Sequence, residues 1–114
     1  MKLIQATMKM STGPIEKKKM VTKLVFLWKE VGLCIHTNPL DRKKWHVSHY
    51  NSGMSVLREI RSLEEAKHYM QRLYNELFQD WTFTLEEWDS KDNAEIRQEI
   101  KPLVDSIQET IRRT

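Results

Sequence analysis

The chain has 114 residues, of which 39% are hydrophobic and 31% charged, with a net charge of +3. This length and composition are typical of one soluble globular domain and argue against a disordered chain. The single cysteine excludes an intrachain disulfide, and no apolar run is long enough to span a bilayer, so a cytoplasmic protein is expected.

The charge is divided between the two halves of the chain. Residues 1–61 contain 12 Lys and Arg against four Asp and Glu, a net +8, whereas residues 62–114 contain seven basic and 12 acidic residues, a net −5. Uneven charge of this kind predicts one surface for a polyanion and another for a different contact.

The first twenty residues have the weakest structural pattern. The breaker cluster Ser11–Pro14 follows scattered methionines and precedes a run of three lysines, Lys17, Lys18 and Lys19. Residues 1–20 are therefore interpreted as a flexible basic arm or a loosely attached strand, and residues 21–114 as a single folded domain.

The region from Val21 to Ile60 is predicted to be β-structure. Alternation and β-branched or aromatic residues indicate three or four antiparallel strands in a meander, at Thr22–Trp28, Leu33–Thr37, Trp45–Tyr50 and Met54–Ile60. Leu40–Lys44 is predicted to be a polar loop, and Gly53 to supply a turn. Leu33 and Ile35 should share one face of the sheet, with Cys34 and His36 on the other.

Two segments after the strands are predicted to be helical. Ser62 opens a capping box before an apolar stripe that runs to about Phe78, and Asn93–Arg113 has a second stripe containing Pro102, which indicates either a kink or a junction between two helices. Trp81–Asp89 fits either a short strand or a helical turn capped by Thr84. The predicted fold is α+β, with two or three helices on one sheet face and the other face wet or binding a ligand.

A basic hairpin is the strongest candidate for a binding site. The sequence from Asp41 to Tyr50 places three cations before aromatic and imidazole side chains on a predicted strand, a combination suited to phosphates and bases. It predicts a non-catalytic nucleic-acid-binding module that uses Arg42, Lys43, Lys44, His46 and Tyr50, with Lys17, Lys18 and Lys19 as an electrostatic arm. The competing interpretation is a solvated hairpin whose Trp45 packs into the core.

Other chemistry-bearing residues give weaker patterns. The spacing of Cys34, His36, His46 and His49 does not match a zinc finger or ribbon, so no metal is predicted. Cys34 paired with a histidine lacks a feature that would lower the thiol pKa, and a buried strand residue is expected instead.

The acidic residues and the glycines do not indicate an enzyme or a cofactor. A solvated helical turn is expected for the carboxylates near Trp88, which are Glu86, Glu87, Asp89 and Asp92. The chain has no phosphate-binding glycine loop, which argues against a nucleotide-hydrolysing enzyme.

A second function class fits the same charge pattern. A small adaptor or inhibitor, of the kind phages and mobile elements encode, would dock its basic surface on an acidic protein partner and keep the acidic helices for another contact. The last helix has enough apolar positions to pack on its own sheet, and its length also allows a homodimer.

Overall fold

The computed structural model describes residues 1–12, 19–38, 41–77, 81–84, 86–87 and 94–114. Five strands and two long helices follow one another in these residues: β1 Ile4–Thr12, β2 Lys19–Trp28, β3 Leu33–Asn38, β4 Asp41–His49, β5 Ser55–Ile60, α1 Leu63–Leu77 and α2 Ala94–Arg113. The α+β class is as predicted, but the sheet has five strands where three or four were expected.

The strands form one antiparallel sheet in the order β1-β2-β3-β4-β5, so each strand pairs with its neighbour in the chain. The additional strand lies in the segment interpreted as an arm or a loosely attached strand: β1 pairs with β2 from Ile4 opposite Leu27 to Thr12 opposite Lys19. Alternating residues of β1 are buried, and this burial explains why the segment is a strand of the sheet rather than a loose end.

The polar loop predicted at residues 40–44 is wrong where the structure describes it. Residues 41–44 are the beginning of β4, and Asn38 of β3 lies opposite Asp41 after a shift in register. The Asp41 carboxylate accepts a hydrogen bond from the backbone N–H of Lys43 at 3.0 Å, which supports the strand at its start. Leu40 lies outside the described residues.

The larger core lies between the sheet and the two helices. Inward-facing residues of β3 and β4 meet the apolar stripes of α1 and α2 on what we call the helix face of the sheet. Its fully buried side chains include Leu33, Ile35, Val47, Leu57, Met70, Leu73 and Ile107. The predicted alternation is confirmed, and the structure places Leu33 and Ile35 on the helix face and Cys34 on the opposite side.

The opposite side, which we call the second face, is partly covered rather than uniformly wet, and the alternative of a binding face stays a prediction. It has a smaller core of Met8, Met10, Val25, Leu27 and Cys34. The paired strands β1 and β2 curl across it until β1 reaches the β4–β5 turn, where the Tyr50 hydroxyl donates to the Thr7 carbonyl at 3.0 Å. Gly53 of this turn lies so close to the β1 backbone that an added Cβ would be 2.5 Å from the Lys9 carbonyl oxygen.

Helix α1 begins where the capping pattern predicts. The backbone N–H of Glu65 donates to the Ser62 hydroxyl at 3.1 Å, which makes Ser62 the N-cap. In a full capping box the Glu65 carboxylate would also accept from the Ser62 N–H. Here it accepts from the Arg61 guanidinium at 3.1 Å instead.

We expect Ser62→Ala to lower the free energy of unfolding by about 1 kcal/mol, because a helix N–H loses its acceptor. Urea unfolding followed by circular dichroism measures the loss. Ser106→Ala, at an exposed position within α2, is the matched control and should change stability by less than about 0.5 kcal/mol. Equal effects of the two substitutions would contradict the cap.

The structure resolves the two ambiguous regions of the second half. Residues 81–84 are not a strand, and Thr84 and Glu87 exchange both hydrogen bonds of a capping box, with Glu86 and Glu87 helical and exposed. Asp89 and Asp92 lie outside the described residues. Helix α2 continues through Pro102 as one element, and its stripe packs on its own sheet through Ile100, Ile107 and Ile111.

Candidate functional site

A buried histidine lies on the second face beside the smaller core. His36 in β3 donates from Nδ1 to the Thr37 carbonyl at 2.9 Å, because a carbonyl can only accept. Its Nε2 is then the acceptor for the Ser48 hydroxyl at 2.7 Å. Burial is the main effect that lowers the His36 pKa, with Lys23 adding to it and the Thr37 carbonyl opposing it, and the neutral ring fits these two bonds.

A second buried histidine lies next to the first on β4. The rings of His36 and His46 meet edge to face, with their centroids 5.5 Å apart. Neither ring nitrogen of His46 has a hydrogen-bond partner among the described residues, and the nearest carboxylate oxygen, of Glu59, is 3.9 Å from Nε2. Burial lowers the His46 pKa to about 4, with further contributions from His36, Arg58 and Lys23.

Three cations from three strands lie on the same side of the sheet as this histidine pair. Lys23 of β2 lies opposite Met8 in register and therefore on the second face, and Arg42 of β4 is near enough to lower the Lys23 pKa further, after partial burial as the larger cause. Arg58 of β5 acts on His46 in the same way. We call Lys23, Arg42, Arg58 and His46 together the basic surface. Gathering like charges costs free energy that a bound anion would recover.

An irregular strand positions the third cation and the neighbouring carboxylate. Between the pairs Trp45–Ile60 and Val47–Leu57, β5 has an extra residue, and Glu59 takes a positive φ of 60°. Gln108 of α2 compensates for the disturbed ladder: its side chain accepts from the Arg58 N–H at 2.8 Å and donates to the Arg58 carbonyl at 2.9 Å. The Asn38 side-chain amide donates a hydrogen bond to the Glu59 carboxylate at 3.1 Å.

The residues predicted to form the binding hairpin are separated by the structure. Arg42 and Lys43 are exposed and Lys44 is half-buried, but His46 is buried and Tyr50 is half-buried with its hydroxyl bound to Thr7. Neither ring is therefore fully exposed for stacking on a base. Lys17 and Lys18 lie outside the described residues, and Lys19 is the first residue of β2.

Cys34 lies beside the histidine pair as a buried thiol. Its Sγ is 3.6 Å from both the Met8 sulfur and the Ser48 carbonyl, and burial raises its pKa to about 12, against a smaller lowering by the Ser48 backbone. A thiol in this state is a poor nucleophile. In the part of the chain that the structure describes, no three His, Cys, Asp or Glu are arranged to hold a metal ion.

Three members of the site were missed by sequence reasoning: Lys23, Arg58 and Glu59. Alternation places Lys23 on the same face as Val25 and Leu27, so its position was available once β2 was recognised. Arg58 and Glu59 depend on the extra residue in β5, for which the sequence has no glycine signal.

Neither described helix is apolar enough along its length to cross a membrane. Comparison with protein families, with curated proteins and with solved structures found no match to this chain.

Proposed function

We propose that this protein is a non-catalytic module that binds the phosphate backbone of nucleic acid through the basic surface. The observation that carries the proposal is that Lys23 and Arg58 lie near the buried His46 and Arg42 lies near Lys23, while His46 has no hydrogen-bond partner among the described residues. Glu59 alone does not balance the three cations, so a polyanion would supply the remaining negative charge, and release of its counterions drives binding.

The same geometry favours backbone contacts over base recognition. His46 is buried and the Tyr50 hydroxyl is already hydrogen-bonded, so the cations are left to make the contacts. Phosphate contacts carry little sequence information, so binding should be nearly independent of base sequence and should weaken steeply as salt rises.

The test is fluorescence polarisation of a labelled mixed-sequence oligonucleotide, single-stranded and as a duplex, over a series of salt concentrations. Arg42→Gln and Arg58→Gln should each weaken binding and reduce the slope of log affinity against log salt by about 1. The matched control is Lys29→Gln, which removes one exposed positive charge in the β2–β3 turn, about 20 Å along the chain direction of β2 from Lys23, and should leave affinity within about twofold.

Glu59→Gln should change the affinity for nucleic acid in the opposite direction. It removes the carboxylate nearest His46 while retaining an oxygen to accept from Asn38, so binding should strengthen several-fold. No binding by the unaltered protein at low salt would overturn the proposal. In that case, the basic surface becomes the candidate contact for an acidic protein partner, as in the adaptor or inhibitor alternative.

A further inference from the structure

A pocket of about 500 Å³ lies on the helix face, on the opposite side of the sheet from the basic surface. Its walls come from the β4–β5 turn, the segment 81–84 and the first half of α2. The apolar part of the lining includes Val56, Trp81, Phe83, Ile100 and Val104, and the exposed side chain of Met54 also lines it. This volume lies within the range of pockets that hold small organic ligands.

The aromatic wall of the pocket is fixed by backbone contacts. The Trp81 N–H donates to the Val31 carbonyl at 2.7 Å, and the Asn51 amide donates to the Thr82 carbonyl at 2.6 Å. Phe83 stacks on His49 with ring centroids 4.3 Å apart and planes inclined by 21°. A wall held in this way is formed before any ligand arrives, which reduces the entropic cost of binding.

The pocket wall also contains polar side chains, of which Ser52, Ser55 and Gln98 can both donate and accept hydrogen bonds. The Ser52 hydroxyl oxygen accepts from the Met54 N–H at 3.2 Å, so its proton can be donated to His49 Nδ1 at 2.6 Å, which leaves Nε2 as an N–H. His49 Nε2 and Trp81 Nε1 are buried and have no acceptor in hydrogen-bond geometry among the described residues, although the Trp81 and Phe83 backbones are near enough to oppose the lowering of the His49 pKa by burial.

The charged side chains that line the pocket among the described residues are positive. Two cations of α2, Arg97 and Lys101, line it, and no Asp or Glu belongs to the lining that the described residues provide. Arg97 already interacts within the chain, whereas Lys101 is exposed and has no ion pair in the described part of the protein. We propose that this pocket binds a small amphipathic anion, an aromatic or acyl group carrying a carboxylate or similar acidic group, with the apolar part between Phe83 and Val104 and the acidic group toward Lys101.

The probe for this site is anilinonaphthalene sulfonate, an aromatic anion whose fluorescence rises in apolar surroundings. We expect saturable binding of one molecule per chain, and weaker binding of the neutral analogue N-phenylnaphthylamine. Val104→Trp fills the pocket and should reduce affinity at least about tenfold, the effect of losing about 1.4 kcal/mol. Lys101→Gln should reduce affinity for the sulfonate several-fold and leave the neutral analogue unchanged.

Two controls separate ligand binding from general loosening of the fold. Arg112→Gln removes an equal charge about 16 Å further along the same helix and should have little effect. At the exposed position of Met54, Met54→Glu should weaken sulfonate binding and Met54→Lys should strengthen it, and neither substitution disturbs the core. Binding of several probe molecules per chain, or affinities that Val104→Trp and the two Met54 variants leave unchanged, would overturn the proposal. This anion-binding proposal does not depend on the proposed nucleic-acid binding, which would use the other side of the sheet.

Discussion

Replacing Gly32 by alanine should lower the free energy of unfolding by about 3 kcal/mol, because two separate costs add. Gly32 has a φ of +89°, a conformation that an L residue adopts only at a cost of roughly 1–2 kcal/mol. Its Cβ would also lie 2.5 Å from the Trp81 carbonyl oxygen and 2.9 Å from the Thr82 nitrogen. Both obstacles are backbone atoms, so the segment that walls the pocket would have to move.

Urea unfolding of both proteins at equal temperature measures the Gly32 effect. The matched control is Glu30→Ala in the same turn, an exposed position where a change below about 0.5 kcal/mol is expected. A loss below about 1 kcal/mol for Gly32→Ala would show that the β2–β3 turn and residues 81–84 do not pack as closely as described.

Acid should destabilise the fold, and His46→Phe should remove much of that sensitivity. Burial and the nearby charges of His36, Arg58 and Lys23 lower the folded-state pKa of His46 to about 4, from 6.5. The unfolded chain therefore binds the proton more tightly, so stability is complete above pH 6.5 and falls as the pH drops toward 4. For His46 alone the loss approaches about 3 kcal/mol.

The phenylalanine variant tests the same site near neutral pH. Both ring nitrogens of His46 are buried without hydrogen bonds among the described residues, so a ring of similar shape should raise the free energy of unfolding by about 1 kcal/mol. The advantage should grow in acid, which denaturation at a series of pH values measures. His68→Gln, which removes an exposed histidine of α1, should retain the acid sensitivity of the unaltered protein. Parallel pH profiles for His46→Phe and the unaltered protein would refute the assignment.

Local patterns predicted much of this fold. Alternation located β2 to β5 to within a few residues and assigned Leu33, Ile35, Cys34 and His36 to the correct faces, because period two is a property of the strand itself. Ser62 and Thr84 were recognisable as caps because a hydroxyl three residues before a glutamate satisfies a helix N–H in any fold.

The second face could not be predicted in the same way. Its burial depends on the curl of β1 and β2, which brings Met8 against Cys34 and Lys9 against Gly53 across large separations in sequence. Arg42 was placed in a loop because charged residues are uncommon in strands, although at a sheet surface a charged side chain extends into solvent at little cost. Sequence reasoning therefore identified Arg42 but missed Lys23 on β2 and Arg58 on β5, the other cations of the basic surface.

The order of the strands has a consequence for how the protein folds and opens. Because every strand pairs with its neighbour in sequence, most of the sheet needs only short loop closures, a topology associated with rapid folding. The contact of β1 with the β4–β5 turn joins residues more than forty positions apart and has no intermediate pairing to guide it. We expect β1 to be the last strand to dock and the first to detach in partial unfolding, an event that would uncover the Cys34 thiol while the helix-covered core stays closed.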